Sequence, residues 1–134
     1  MVLIKIVVHY QDGRILKGTT DDFFPNKDRF HVNQIDATVG SKPVEVSISQ
    51  LKAVFFVRDY RGQPEHTDKQ EFDPSKPPMG RKIRVRFTDG EEILGTTQGD
   101  HAGRSGFFLI PADPDSNNER CFVVAAATQE VALM

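Results

Sequence analysis

Three basic residues in the second half of the chain alternate along a predicted strand. Lys82, Arg84 and Arg86 are separated by single apolar residues. Because successive side chains of a strand point to opposite faces, the three cations share one face. Such a stripe could bind the phosphates of a nucleic acid or an acidic partner. The alternative is an ordinary solvated strand face, whose charge Glu91 and Glu92 would balance across the hairpin.

A glycine-rich segment, residues 98–106 (QGDHAGRSG), follows in the same half. Gly103, Arg104 and Ser105 form its candidate anion-binding part, because glycines let backbone N–H groups converge and arginine adds charge. The segment matches neither the P-loop nor the dinucleotide fingerprint, both of which require a helix next. The alternative is an ordinary hairpin loop.

Two adjacent aromatic residues, Phe23 and Phe24, stand at the start of a predicted loop in the first half. Aromatic side chains in that position either pack into the core or remain exposed for a partner. We expect Phe23 to enter the core and Phe24 to be exposed. Phe24 is therefore the candidate protein contact. The second half has Asp100 and His101 at the corresponding positions, so this contact would belong to the first half alone.

No set of residues has the spacing of a catalytic or metal site. The four histidines are scattered along the chain, and Cys121 is the single cysteine. An intrachain disulfide and a site of several thiolates are therefore excluded. Asp12 and Asp89 occupy repeated positions, but turn chemistry already explains them. We predict a protein that is not an enzyme and that requires neither a cofactor nor a metal.

Charge and hydropathy restrict the partners and the compartment. The chain has 17 basic and 19 acidic residues. This balance disfavours a sequence-independent nucleic-acid binder, which usually carries a large basic excess. We find no secretory signal pattern and no apolar run of the length that spans a bilayer. These observations predict a cytoplasmic protein that does not contact membranes.

The candidate residues are carried by a sequence that occurs twice. Residues 6–20 (IVVHYQDGRILKGTT) correspond to residues 83–97 (IRVRFTDGEEILGTT), and sliding the chain by 77 positions gives 12 identities in 54 pairs. We predict two β modules, residues 1–57 and 81–134, joined by a polar, proline-rich linker at residues 58–80. A module of about 54 residues is marginal alone. The modules should therefore pack on each other or on another chain.

Each module contains five short runs with the alternating pattern of strands, and no window has a sustained helical period. Asp12-Gly13 predicts a tight primed turn in which both residues have positive φ. Gly18 and its counterpart Gly95 lie inside a strand and predict a bend or bulge. Residues 54–57 (VFFV) are apolar without alternation. We therefore expect this strand to be covered on both faces, at an interface between modules or subunits.

Five strands, an Asp-Gly first turn and a glycine five residues after the turn glycine resemble the Sm-like fold, a small and strongly bent SH3-type β-barrel. The resemblance implies an all-β protein made of two tandem Sm-like/SH3-like barrels related by internal duplication. The Sm-family RNA site uses a basic residue in the turn before the last strand. Here residues 49–51 read SQL and residues 126–128 read AAT. The chain departs from the RNA-binding pattern at both turns.

The whole chain also resembles an uncharacterised family of duplicated bacterial domains with the pattern V-x-F-x-D-G-x-x-x-x-G-T-T. That resemblance implies a bacterial source and no particular activity.

Our leading functional expectation is a protein-interaction or regulatory module that binds a protein partner through loops or an exposed strand edge. The second is an RNA or single-stranded nucleic-acid binder that uses the Lys82, Arg84 and Arg86 face. A more remote one is a sensor of a small anionic, nucleotide-type ligand at residues 98–106. Oligomers could form through strand edges, unless the two modules satisfy each other's edges.

Overall fold

The computed structural model describes residues 4–24, 27–35, 42–58, 80–97, 105–112 and 117–133. The described residues form ten strands and no α-helix, which confirms the all-β prediction. The strands of the first half are β1 (Ile4–Tyr10), β2 (Ile15–Thr20), β3 (Arg29–Gln34), β4 (Val44–Ser47) and β5 (Leu51–Val57). Those of the second half are β6 (Arg81–Phe87), β7 (Glu92–Thr97), β8 (Gly106–Pro111), β9 (Asn118–Val124) and β10 (Thr128–Leu133).

All ten strands belong to one antiparallel sheet in the order β10-β6-β7-β8-β9-β5-β1-β2-β3-β4. Each half has the same internal order, since β5-β1-β2-β3-β4 corresponds strand by strand to β10-β6-β7-β8-β9. In each half a single 3₁₀ turn, Ile48–Gln50 or Ala125–Ala127, leads into the last strand. The sheet is continuous because β9 of the second half pairs with β5 of the first. One open sheet therefore runs through both halves, where two tandem barrels were expected.

The β5–β9 junction gives each half part of the other's core. Phe122 and Val124 of β9 join the buried cluster of the first half. Ala53, Phe55 and Val57 of β5 join the cluster of the second half. Every residue of β5 is buried, so the prediction that residues 54–57 are covered on both faces is confirmed. The linker predicted at residues 58–80 lies almost entirely outside the described residues.

The turn predicted at Asp12-Gly13 has a different conformation from the one expected. Gly13 has a φ of 97°, but no described non-glycine residue has a positive φ. Gly13 N donates to Tyr10 O at 3.1 Å, and Tyr10 N donates to Arg14 O at 2.9 Å. This is a three-residue loop closed by glycine rather than a two-residue primed turn. Asp12 does not have a positive φ, and its Oδ1 accepts the Arg14 N–H at 3.0 Å, which stabilises the turn from the side chain.

Close approach of neighbouring strands explains the glycine repeated inside β2 and β7. A Cβ on Gly18 would overlap the carbonyl oxygen of Asn33, and a Cβ on Gly95 would overlap that of Ile110. Both obstacles are backbone atoms of the next strand, so neither can move without shifting the sheet. Glycine is required here for packing, at the position where the sequence predicted a bend.

The described residues include no helix with the length and apolar character needed to cross a bilayer.

Candidate functional site

The open edge of β10 exposes apolar side chains on the side that faces the core. Val131 is 40% exposed and Leu133 is 54% exposed. They pair directly with Val85 and Ile83 of β6, both of which are fully buried. Opposed residues of an antiparallel pair project to the same face. The apolar row of the core therefore continues to the edge of the sheet and is partly exposed there.

The corresponding residues of the first half are buried. Val54 and Phe56 of β5 are 0% and 3% exposed. β9 covers them, with Phe122 opposite Val54 and the guanidinium of Arg120 4.3 Å from the centroid of the Phe56 ring. The contrast with β10 comes from this neighbouring strand.

The opposite end of the sheet, at β4, presents charged side chains. Arg29 Nη1 donates to Glu45 Oε1 at 3.0 Å. His31 faces Glu45 across the β3–β4 pair, and its Nδ1 lies 2.7 Å from Asp22 Oδ2. The carboxylates of Glu45 and Asp22 thus both have cationic or polar neighbours. The two ends of the sheet differ in chemical character, one polar and the other partly apolar.

The predicted basic stripe lies on β6, beside the open edge. Arg86 Nη2 donates to Glu92 Oε1 at 2.6 Å, and Arg84 Nη2 lies 3.8 Å from Glu130 Oε1 on β10. Lys82 is partly buried. The structure places the three residues in alternate positions of one strand, as expected, and gives both arginines an acidic neighbour. Binding of a nucleic acid or an acidic partner to this stripe stays a prediction.

A buried lysine connects the two halves and was missed by the sequence analysis. Lys52 of β5 donates through Nζ to Asp89 Oδ2 at 2.8 Å and lies 3.2 Å from Glu91 Oε1. Its Nζ is also 4.8 Å from the centroid of the Phe87 ring. Burial works to lower the pKa of Lys52, but the Asp89 hydrogen bond and the Glu91 charge raise it above its ordinary value. A lysine within an apolar strand was the available signal, but its partners could not be identified from spacing.

A cavity of about 560 Å³ lies between the halves at the two 3₁₀ turns. The first half lines it with Lys27, Asp28 and Ser49, among others, and the second half contributes Ser105 and residues 124–126. Ser105 O also accepts a hydrogen bond from Ala125 N at 2.9 Å, which fixes the loop end against the turn. Ser105 is therefore at a site where a small molecule could enter.

The remaining members of the predicted anion-binding loop, Gly103 and Arg104, lie outside the described residues.

Phe23 and Phe24 are oriented as expected. The Phe23 ring packs edge-on against Phe30 at 5.0 Å and against Phe122 of the second half at 5.2 Å. Phe24 is 47% exposed, and Lys27 Nζ lies 4.8 Å from its ring centroid. Contact between Phe24 and a protein partner stays a prediction.

The chemistry of the remaining titratable groups follows from burial. Cys121 is fully buried, which raises the pKa of its thiol far above the ordinary value. Burial, followed by the positive charge of Lys52, lowers the pKa of His9. Within the described ranges, no three His, Cys, Asp or Glu side chains are grouped to hold a metal ion.

Residues 3–134 match the model of DUF6982, a family of unknown function, and the chain therefore belongs to that family. No curated protein matches the chain, and no solved structure does. The expected resemblance to an uncharacterised family is thus confirmed at the level of the family, while the bacterial source stays a prediction.

Proposed function

We propose that this member of DUF6982 is a non-enzymatic protein-interaction module that binds its partner along the edge of β10. The observation that carries the proposal is the exposure of Val131 and Leu133 on the core-facing side of that strand. An edge strand offers backbone N–H and C=O groups to an added strand. The side chains beside it then select the partner. The cytoplasmic location and bacterial source expected from the sequence are part of this proposal.

The two faces of the edge differ, and this difference constrains the partner. One face carries Val131 and Leu133, while the other carries Arg84 and Glu130 on adjoining strands. A strand added here would need apolar residues on the first face and polar residues on the second. Such a partner segment has an alternating pattern, because successive side chains of a strand change face.

We also propose that each half corresponds to one strongly bent Sm-like unit. The shared strand order, the glycine-closed first hairpin and the close-packed glycine of the second strand support this assignment. The function proposed above does not depend on it.

The test is affinity capture from a lysate of the source organism, with and without nuclease, using wild type and two charge variants. Leu133→Lys alters the proposed edge. Ile15→Lys is the matched control, since Ile15 is 56% exposed and Leu133 is 54% exposed. We expect a stoichiometric protein partner that survives nuclease, is lost with Leu133→Lys and is retained with Ile15→Lys. Equal capture by both variants would exclude β10 as the binding edge.

Recovery of RNA instead of protein would favour the nucleic-acid alternative. That alternative requires Arg84 and Arg86 to exchange their acidic neighbours for phosphates. It predicts binding that weakens steeply with salt and disappears in Arg84→Glu/Arg86→Glu.

The cavity between the halves supports a second candidate function, recognition of a small anionic ligand. Lys27 supplies a cation, and Ser49 and Ser105 supply hydroxyl donors, although Asp28 adds a negative charge to the same wall. A ligand that binds only the folded state raises the melting temperature. We expect this increase, if present, to be lost in Lys27→Ala and Arg104→Ala. A ligand-induced shift unchanged in both variants would place binding elsewhere.

A further inference from the structure

The ends of the ten-stranded sheet, β4 and β10, each have a single neighbour among the described strands. The junction inside the molecule shows one way to satisfy such edges, because β5 and β9 pair antiparallel and bury each other's side chains. The sequence repeat predicts the corresponding contact between molecules. In this contact β10 of one copy would pair with β4 of the next. β10 is the counterpart of β5 in the sequence repeat, and β4 is the counterpart of β9, each 77 positions away.

That head-to-tail pairing is disfavoured by the residues at the two ends. Phe122 lies opposite Val54 in the internal junction, and the equivalent pair would place Glu45 opposite Val131. His31 takes the place that Phe108 occupies in the second half. Glu45 is held in an ion pair with Arg29 and lies beside the His31 ring, so covering it would desolvate a carboxylate and its neighbours at considerable cost.

We propose that β10 pairs antiparallel with β10 of a second copy of this chain, about a two-fold axis at Ala132. This inference rests on the proposed function, since it names the partner that occupies the same edge. Centred on Ala132, the register places Val131 of each copy opposite Leu133 of the other. Four exposed apolar side chains then meet on the core-facing side and extend the buried row of β6, Ile83 and Val85.

The charged residues of β10 permit this register, because it does not bring like charges together. Glu130 and its symmetry mate are offset by four residues along the paired strands, which corresponds to roughly 13 Å at the antiparallel rise. Each glutamate keeps the Arg84 neighbour that it has within its own copy. A two-fold contact uses the same patch twice and closes after two subunits, whereas head-to-tail contacts continue into rings or filaments.

The first test is disulfide trapping in purified full-length Ala132→Cys. Residues directly opposed in an antiparallel pair have Cα atoms about 4.5 to 5.5 Å apart. Disulfides span about 4.4 to 6.8 Å between Cα atoms, so a cysteine on the axis can bridge to its mate. The native Cys121 is buried and should not compete. We expect mild oxidation to give a covalent dimer at least tenfold faster than in the matched Glu130→Cys variant, whose mate lies four residues away.

Equal trapping rates in the two variants would overturn the proposed register. The double variant Val131→Cys/Glu45→Cys tests the head-to-tail contact, because those positions oppose each other only in that arrangement. A ladder of products beyond the dimer in the double variant would overturn the two-fold proposal.

The second test measures mass against concentration by sedimentation equilibrium. We expect wild type and Ile15→Lys to shift from one to two copies as concentration rises, and Leu133→Lys to remain a single copy. A single copy of wild type at every concentration overturns self-pairing. If capture from a lysate still depends on Leu133 in that case, the proposed function stands without the dimer. If wild type forms a dimer but captures no partner from the lysate, the two-fold dimer stands and the proposed function fails, because β10 then serves self-association alone.

Discussion

β5 and β10 are equivalent strands of the two halves, yet their environments are opposite. Each pairs with the first strand of its own half in the same register, with Phe56 opposite Ile6 and Leu133 opposite Ile83. Every residue of β5 is buried, whereas every residue of β10 is at least partly exposed. The cause is β9, which pairs with the outer side of β5.

The amino-acid sequences of the two strands follow this difference. Residues 51–53 of β5 are LKA, and residues 128–130 of β10 are TQE. A strand with neighbours on both sides and packing on both faces needs apolar residues at successive positions, while an edge strand does not. The location of a strand in the complete sheet, rather than its place within a half, therefore determines which residues it requires.

The largest expected effect comes from truncating the same position in both strands. Phe56→Ala should lower the free energy of unfolding by about 3 to 5 kcal/mol, because it leaves a cavity between the halves. At concentrations where the protein is a single copy, Leu133→Ala should cost no more than about 1 kcal/mol, since its side chain is half exposed there. Urea unfolding measures the loss of unfolding free energy in both variants. Equal losses would show that β10 is covered in solution as completely as β5, which concentration-dependent unfolding of the wild type would also reveal.

A change at the repeated glycines should affect the two halves alike. Gly18→Ala and Gly95→Ala each introduce a Cβ against a backbone carbonyl of the next strand. We expect each to cost about 1 to 3 kcal/mol, the usual range for overpacking. Ile15→Ala, on an exposed position of the same β2 strand, is the control and should have little effect. A large loss in only one half would mean that the other can separate β2 or β7 from its neighbour.

Removing the ion pair between the halves should have a smaller effect that depends on pH. The hydrogen bond from Lys52 holds the pKa of Asp89 below its ordinary value of 3.8. The carboxylate therefore contributes stability above about pH 3.8, and this contribution disappears as pH falls through the lower pKa of the folded state. Asp89→Asn should cost about 1 kcal/mol or less at neutral pH, because the pair is partly exposed to solvent.

Asp12→Asn is the matched control, since Asp12 occupies the equivalent turn and bonds to Arg14 within its own hairpin. Acid titration of unfolding free energy should show a larger change for Asp89→Asn than for Asp12→Asn. The opposite order would mean that Lys52 contributes little to holding the halves together.

Local pattern was sufficient to predict the strands and the covered faces of β5. It also identified Phe24 as exposed and the glycines of β2 and β7 as special. These features depend on short-range periodicity and on the steric demands of single residues. The conformation of the Asp12-Gly13 turn was predicted wrongly because Asp-Gly is compatible with more than one loop length, and the aspartate side chain stabilises the longer one here.

The β5–β9 junction and the ion pair of Lys52 could not be derived in this way. Lys52 and Asp89 are 37 positions apart, and no spacing rule joins them. Which strand edges pair depends on how the two halves dock, and the internal repeat alone allows both the internal contact and its intermolecular equivalent. The cavity at the two 3₁₀ turns has the same origin, because residues of both halves line it.

The smallest predicted effect compares His9 with Arg86, its counterpart in the second half. His9 packs edge-on against Phe55 with the ring centroids 4.7 Å apart, in a site that the neighbouring half covers. Arg86 is at the outer end of the sheet and pairs with Glu92. Burial first, and then the Lys52 charge, lower the pKa of His9, although Glu91 and Asp89 act in the opposite direction.

The direction in which His9 changes folding stability with pH follows from proton binding. Above pH 6.5 both folded and unfolded His9 are neutral, but below it the unfolded chain binds the proton more readily. Stability should therefore fall as pH drops below about 6.5, before Asp89 titrates, and His9→Gln should remove this part of the profile. His31→Gln is the control, because His31 lies on the exposed β3 surface beside Asp22 and Glu45. If the decline below pH 6.5 persists unchanged in His9→Gln, the junction at β5 does not desolvate His9, and the contrast between the enclosed and open ends of the sheet is weaker than burial implies.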